Sequence, residues 1–370
     1  MKILHICGDY CIIHQNLVKK QIDFGINTRV FHYTTRRKKV RKKSEDHVDF
    51  YNSSIKILRS PLFFRVRIKF VAKHFYEFYK DDFNFDLTHA HMWFSDGEIA
   101  YKAYESWGIQ YILTVRNTDM NSWYYWNLPW NKKRGYEILK NATRVIFLSA
   151  SYKTELMNKL PLDLRVELGK KALIIPNGID DFWQSNAPKT SKQKPKNTIR
   201  ILTVGSVETN KNQLTVLKAI NLLTNKGYKV QYTIVGSVLE KRIERELVKS
   251  RCVKLLPFCS KEKLKEIYES SDIFVMPSIF ESFGLVYAEA MSQGLPVIYS
   301  KGQGFDGQFP EGEVGVSVNC MNSEEICYAI IKVLNDYESM SSKCIELSKV
   351  FSWGSLAEKY ISIYSDIIAK

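Results

Sequence analysis

No stretch of this chain holds eighteen consecutive apolar residues, which excludes a single helix spanning a bilayer. The opening MKILHICGDY turns polar too soon for a secretory leader and reads as a first core strand. Cysteine is sparse and odd in number, seven in 370 residues, and the one close pair, Cys7 and Cys11, fits no strong metal motif. Reduced thiols in strands and loops are therefore expected, not a disulfide framework or a structural zinc site. What is present is ordinary globular material: 45% apolar residues, in a length that suggests two or three domains.

Acid is also lacking, but only in one half. Residues 1–200 carry 35 Lys and Arg against 19 Asp and Glu, whereas residues 201–370 carry 19 against 20. The net charge of +15 therefore lies in the first half, which is expected to face a more acidic partner than the second.

The stretch 272–300 organises the chain. It reads as a buried strand (273–276), a loop (277–284), a helix (285–293) ended by Gly294 and Pro296, and a second strand (295–299). That is one turn of a parallel α/β sheet. Two carboxylates flank the helix start, Glu281 in the loop and Glu289 eight residues on. Between them Ser282, Phe283, Gly284 and Leu285 offer backbone N–H groups, a natural seat for phosphate. Gly284 allows close approach of a ligand to the backbone. A diphosphate held there would have an acid on either side for hydroxyl groups, which suits a sugar nucleotide; the bland alternative is two solvated helix-end acids.

ESFGLVYAEAMSQGLPVI resembles the glutamate–seven residues–glutamate signature of retaining GT-B glycosyltransferases of the family 4 (glycosyl transferases group 1) type. The resemblance implies that Glu281 bonds the donor sugar and Glu289 the nucleotide ribose. It implies two Rossmann-like domains facing across a cleft: residues 1–180 with a returning terminal helix, 352–370; a connector at 181–198 rich in Lys, Ser, Pro, Gln and Asn; and a nucleotide-sugar domain at 199–351. Gly205, Ser206 and Lys211 resemble the family's phosphate clamp, with Ser206 where arginine is common, so that Ser206 brings a hydroxyl and Lys211 the charge. Phe258, in the loop after the strand at 253–256, would meet the base. Lys211 is expected to begin a helix running to about residue 223, and 302–315 a surface loop at the donor rim.

On the first-half side, Gly8 and Asp9 close the first strand and His91 follows a strand at 85–90. Arg116, Asn117 and Asp119 follow the strand at 111–115. These are the acceptor-side candidates; Arg116 stands where the family often has histidine, and cannot act as a base because it stays protonated. Either anion binding or a structural salt bridge suits it. His89 and His91 share a strand face, where packing is favoured over metal binding for want of further ligands. Catalysis is expected to rest on Glu281, Lys211 and Arg116, with no cofactor and, since no Asp-x-Asp occurs, no metal.

Partners beyond the nucleotide-sugar donor, with a UDP-sugar favoured, are a glycan, glycolipid or cell-surface polymer acceptor. For the basic run Arg36–Lys43 a solvated loop is the leading reading, with an anionic membrane and then nucleic acid as the alternatives. For a helix over 64–80 a packed helix covering the sheet stands ahead of a membrane-facing one, and one helix can do both. In that helix Phe64, Ile68, Val71, Phe75 and Phe78 form the apolar stripe. Aromatics at Trp123, Tyr124, Tyr125, Trp126 and Trp130 suit sugar stacking, a buried cap or a membrane loop equally. Such an enzyme would be cytoplasmic, peripheral on the inner face of the plasma membrane. The competing readings are a basic nucleic-acid-binding protein, supported by charge alone, and a catalytically impaired GT-B relic or sugar-nucleotide epimerase.

Overall fold

A computed structural model of the chain describes residues 1–34, 47–52, 63–120 and 129–369. The basic run Arg36–Lys43 and the aromatic residues 123–126 lie outside the described residues, as does the side chain of Trp130.

Among the described residues the chain divides into two compact units. The first comprises residues 1–148, 152–176 and 353–370; the second comprises 149–151 and 177–352. The first unit holds a wholly parallel sheet of β1 (Lys2–Cys7), β2 (Asn27–Thr34), β3 (Val48–Asn52), β4 (Leu87–Ala90), β5 (Tyr111–Val115), β6 (Arg144–Phe147) and β7 (Ala172–Ile174). Its order is β3-β2-β1-β4-β5-β6-β7. The second unit repeats the plan with β8 (Thr198–Val204), β9 (Lys229–Val235), β10 (Val253–Leu256), β11 (Ile273–Val275), β12 (Val297–Ser300) and β13 (Gly315–Val318) in the order β10-β9-β8-β11-β12-β13, again all parallel. In each sheet the order reverses once, between β1 and β4 and between β8 and β11. Doubly wound sheets bind ligands outside the carboxyl ends of the strands at such a reversal.

Both sheets are buried on two faces, which is why their strands read as nearly continuous apolar runs. In the first unit Ile3, Leu87, Ile112 and Ile146 pack one face against Trp353, Leu356, Tyr360, Tyr364 and Ile367 of the final helix, Trp353–Ile368. The other face is covered by Ile68, Val71 and Phe75 of the helix Phe64–Tyr79 and by Ile99, Ala100 and Ala103 of the helix Asp96–Trp107.

Several sequence expectations are refined here. The connector at 181–198 is irregular and exposed at Lys189, Thr190, Gln193, Lys194 and Lys196, but it opens with a helix, Asp181–Ser185, with Trp183 buried, and Lys192 Nζ donates to the carbonyls of Tyr268, Glu269 and Ser271 at 3.0, 2.6 and 2.9 Å. Polar composition concealed a segment anchored by one lysine against a helix end, where unpaired carbonyls attract a cation. The stretch 302–314 is a run of turns, as expected, but it is pinned by the buried Phe305 and Val314, and Gly315 begins β13. In the apolar stripe Ile68, Val71 and Phe75 are buried, but Phe78 is 55% exposed. No helix among the described residues is long and apolar enough to cross a membrane.

Candidate active site

At the reversal of the second sheet, the loop after β8 meets the loop after β11. Lys211 Nζ donates to Glu281 Oε2 at 2.8 Å, and both side chains are mostly buried, 19% and 12% exposed. Ser278 Oγ also donates to Glu281 Oε2, at 3.3 Å, while the other oxygen, Oε1, accepts from Ser282 N at 3.1 Å. The backbone of Glu281 is fixed as well: its N–H donates to Gln303 Oε1 at 3.0 Å, and its carbonyl accepts from Gly304 N at 3.0 Å.

Lys211 does not begin a long helix. It ends a single 3-10 turn, Thr209–Lys211; Asn212 follows with φ 59°, and the helix Gln213–Asn225 starts after it. Asparagine tolerates this left-handed conformation better than most side chains. The break aims Lys211 across at Glu281 and is fastened from both sides. Asn210 donates from Nδ2 to the Phe280 carbonyl at 3.1 Å and accepts at Oδ1 from Phe280 N at 2.9 Å; Asn212 Nδ2 donates to the Pro277 carbonyl at 3.1 Å. Sequence reasoning missed Asn210, Asn212, Ser278 and Gln303; asparagines flanking a lysine at a strand end were the available signal for the first two.

The helix Leu285–Ser292 starts at Gly284, whose φ of 77° lies in the left-handed region. A Cβ there would stand 2.3 Å from the Tyr287 ring. Phe283 is buried against Phe305 and Phe351, which anchors the turn and leaves the helix N-terminus directed past Glu281. Glu289 lies four residues into this helix. Burial raises its carboxyl to about 7, opposed by hydrogen bonds from Tyr268 and Trp183 and by the nearby Lys261. A carboxyl raised in the fold is ionised above neutral pH at a cost in stability, and that cost disappears as pH falls towards its ordinary value. Glu289→Gln is therefore expected to raise the melting temperature at pH 8, with the gain shrinking towards pH 5; an equal shift at both pH values would contradict the buried-acid reading.

Gly205 borders Lys211 with room to spare, and Ser206 Oγ donates to Glu208 Oε1 at 2.5 Å, so Ser206 brings a hydroxyl committed to a neighbouring acid. Phe258 is 81% exposed, free to stack on a planar group.

The first sheet's reversal gathers a different set. Arg116, at the end of β5, donates from Nε to the His91 carbonyl at 3.0 Å and from Nη2 to His14 Nε2 at 2.8 Å. The proton of His14 is thereby placed on Nδ1, which donates to the Asp9 carbonyl at 2.6 Å. Among the described residues no carboxylate side chain forms an ion pair with Arg116, so the salt-bridge alternative does not hold in this fold. Two acceptor-side candidates turn inward. Asp119 is buried, accepting at Oδ2 from Arg116 N (2.9 Å) and at Oδ1 from Trp93 N (3.1 Å); it shapes the loop instead of facing a ligand. Asn117 is also buried, whereas Asp9 is exposed and Gly8 half-buried. Gly8 N donates to Asp96 Oδ1 at 3.1 Å. Asp96, missed in the sequence, is raised to about 7 by burial.

His91 is buried beside His89, as the strand alternation requires, but His5 on the adjacent β1 joins them. The three rings are near enough to share an ion, but two of the three ring lone pairs, on His5 and His89, are spent on internal hydrogen bonds. His5 Nε2 donates to Gln21 Oε1 (2.8 Å), so His5 Nδ1 accepts from His91 Nε2 (2.8 Å). Gln21 Nε2 donates to Tyr364 OH (3.1 Å), which donates in turn to His89 Nδ1 (2.7 Å). The cluster is a packed hydrogen-bond network. Burial lowers His5 to about 4 and holds His14, His89 and His91 well below the usual imidazole range. The unfolded chain binds protons at these sites below about pH 6.5 while the folded one does not, so stability falls as pH drops from there towards 4. Asp96, Asp119 and Glu289, raised to about 7, about 6 and about 7, act in the opposite sense and offset much of this loss. The melting temperature is expected to fall between about pH 7.5 and 5 by less than the four histidines alone would give, and His89→Gln to flatten that dependence.

Comparison with known proteins covers nearly the whole chain. Residues 15–181 match the family model described as Glycosyltransferase Family 4, and residues 185–350 match the one described as Glycosyl transferases group 1. A D-inositol 3-phosphate glycosyltransferase of Corynebacterium glutamicum is 24% identical over 318 residues, spanning 78% of this chain and 74% of that protein. Among solved structures, the lipopolysaccharide outer core galactosyltransferase WaaB aligns with a TM-score of 0.76 at 16% identity, over 99% of this chain and 100% of that one. Sucrose-phosphate synthase from Thermosynechococcus elongatus aligns at 0.73 and 19%, over 100% and 99%. HepE of Anabaena, solved with UDP, aligns at 0.68 and 17%, over 99% and 100%. Two doubly wound parallel sheets, a lysine–glutamate pair at the reversal of the second, and these matches to both halves lead to one assignment: the chain belongs to the GT-B glycosyltransferases of the family 4, or group 1, type.

Proposed function

We propose that this glycosyltransferase retains the anomeric configuration of a sugar it moves from a nucleotide-diphosphate sugar, with UDP-sugars the first donors to test, and that it uses no metal ion. The observation that carries this reading is the Lys211–Glu281 pair beside the start of the helix Leu285–Ser292. A donor diphosphate brings negative charge to a place that already holds a lysine and unpaired helix N–H groups. Lys211 turns to the phosphate, and Glu281 is released to accept from sugar hydroxyls. The bond between the anomeric carbon and the phosphate oxygen breaks as charge builds on the diphosphate, which Lys211 and the helix N-terminus stabilise. The acceptor oxygen bonds to the anomeric carbon from the same face and passes its proton to the leaving phosphate, so no protein nucleophile is needed. Glu289 accepts from the ribose and Phe258 stacks on the base. The Anabaena relative solved with UDP and UDP-glucose supports the choice of uridine.

Arg116 is proposed to bind a phosphate or carboxylate of the acceptor, a glycan, glycolipid or cell-surface polymer precursor. Its guanidinium is held by His14 and the His91 carbonyl without an acidic partner, and a relative acting on D-inositol 3-phosphate supports an anionic acceptor. The basic first half supports reversible attachment to an anionic membrane from the cytoplasmic side. Thermal unfolding with UDP, GDP and ADP and their common sugars, with and without EDTA, tests the donor. A nucleotide at 100 times its Kd stabilises by about 2.7 kcal/mol. A shift with uridine nucleotides that survives EDTA is expected; a shift that EDTA abolishes would overturn the metal-free mechanism, and no shift with any nucleotide would overturn the donor site. The anomeric proton coupling of the transferred sugar by NMR tests retention.

A further inference from the structure

The helix Phe64–Tyr79 has two apolar faces. One is the buried stripe of Ile68, Val71, Phe75 and Tyr79 that covers the first sheet. The other faces solvent: Phe63 at the N-terminal end is 44% exposed, Val66 41%, Phe70 50% and Phe78 55%. Spacings of three, four and eight residues place these within one arc of the helix, which also holds Glu77 and borders the buried stripe where Phe78 adjoins Val71. Beside them Lys69 and Lys73, four residues apart, are exposed on the same flank. The helix carries four basic residues, at 65, 67, 69 and 73, and one acid, Glu77, which pairs with Lys80 at 3.0 Å.

We propose that this second face docks on an anionic lipid surface, with Phe63, Val66, Phe70 and Phe78 entering the headgroup–acyl boundary while Lys69 and Lys73 meet lipid phosphates. Leaving four large apolar side chains in water costs stability that folding alone does not require. A nucleic acid would account for the lysines but not for the phenylalanines. A second copy of this chain would bring the same excess of lysine to the contact, whereas an anionic bilayer complements both chemistries at once. The inference deepens the membrane-side reading above and is independent of the transfer chemistry.

The test is co-sedimentation of the full chain with vesicles of phosphatidylcholine alone and with 30% phosphatidylglycerol, scored beside UDP-induced thermal stabilisation. Binding to the anionic vesicles alone is expected. Neutralising Lys69 and Lys73 to glutamine should weaken it roughly 25-fold. Phe63→Ser with Phe70→Ser should weaken it by at least a similar factor, with the melting temperature and the response to UDP unchanged. Vesicle binding that is absent, or indifferent to both pairs, overturns the proposal. So does a dimer in light scattering that the serine variant dissolves, or duplex DNA binding that the serine variant leaves intact. Failure of the UDP response with vesicle binding intact would count against the donor site alone.

Discussion

Replacing Glu281 with alanine is expected to lower kcat by about 10²–10³, the cost of losing one preorganised polar contact at the proposed reacting centre. Donor affinity does not fall with it. In the free enzyme Lys211 is tied to Glu281 at 2.8 Å, so the alanine variant presents a lysine already released for the diphosphate. The expected signature is a depressed kcat with an unchanged or lowered donor KM. Lys211→Ala is expected to show the converse pattern: on the proposed reading a charge-assisted bond to phosphate is lost, about 1.5–3 kcal/mol, and donor KM should rise roughly 10- to 150-fold. Because each residue is the other's partner, the double variant should lose less than the two singles multiplied. Unaltered kcat in Glu281→Ala would sink the assignment of this pair as the reacting centre and revive the relic as the better description.

Gly304→Ala is expected to be severe for a reason unrelated to charge. The added Cβ would stand 2.2 Å from the Ser282 carbonyl oxygen and 2.7 Å from Phe283 N, and neither is a flexible side-chain end. The two strands of loop must separate, which displaces the turn that starts the helix Leu285–Ser292 and breaks the bond from Gly304 N to the Glu281 carbonyl. Overpacking of this kind costs about 1–3 kcal/mol or more, and the displaced turn should also abolish nucleotide-induced stabilisation. Gly169 is the contrasting case. It sits inside the helix Leu162–Lys171 with only a methionine methyl 3.7 Å from its ideal Cβ. Alanine there should stabilise by about 0.5–1 kcal/mol, since it restricts the unfolded chain and suits a helix. Urea unfolding of both variants gives the comparison; equal effects would mean that close backbone approach at Gly304 is not what holds the turn.

What the residues disclosed in advance was local. The strand, loop and helix over 272–300 carry apolar period, glycine stop and flanking acids within thirty residues, so Glu281, Gly284 and Glu289 were found by pattern. Lys211 was located, but not its setting: a 3-10 turn broken by a left-handed Asn212 leaves no periodic trace. The edge strands β3 and β13 escaped notice because VDFYN and GVSV are short, and glycine-rich sequence before β13 suggested a loop. Convergence over long separations was least visible. His5, His14, Gln21, His91 and Tyr364 are assembled by parallel register and by the last helix, and nothing near any one of them announces the others. On the helix Phe64–Tyr79 the spacing picked out the arc the sheet takes, at Ile68, Val71 and Phe75, and failed only at its edge, where Phe78 turns to solvent.

The placement of the helix Trp353–Ile368 within the first unit has a consequence for biosynthesis. The ribosome delivers the first sheet early, but the face of Ile3, Leu87, Ile112 and Ile146, partly covered by Leu17 of the helix Ile12–Asp23, lacks the rest of its cover until residue 367 has emerged. The second unit, continuous from residue 177 to 352, can close on itself before then. The half translated first is thus the half completed last. Nascent chains released before residue 353 should present an aggregation-prone open sheet attached to a folded neighbour, making that sheet a natural client for chaperones during synthesis.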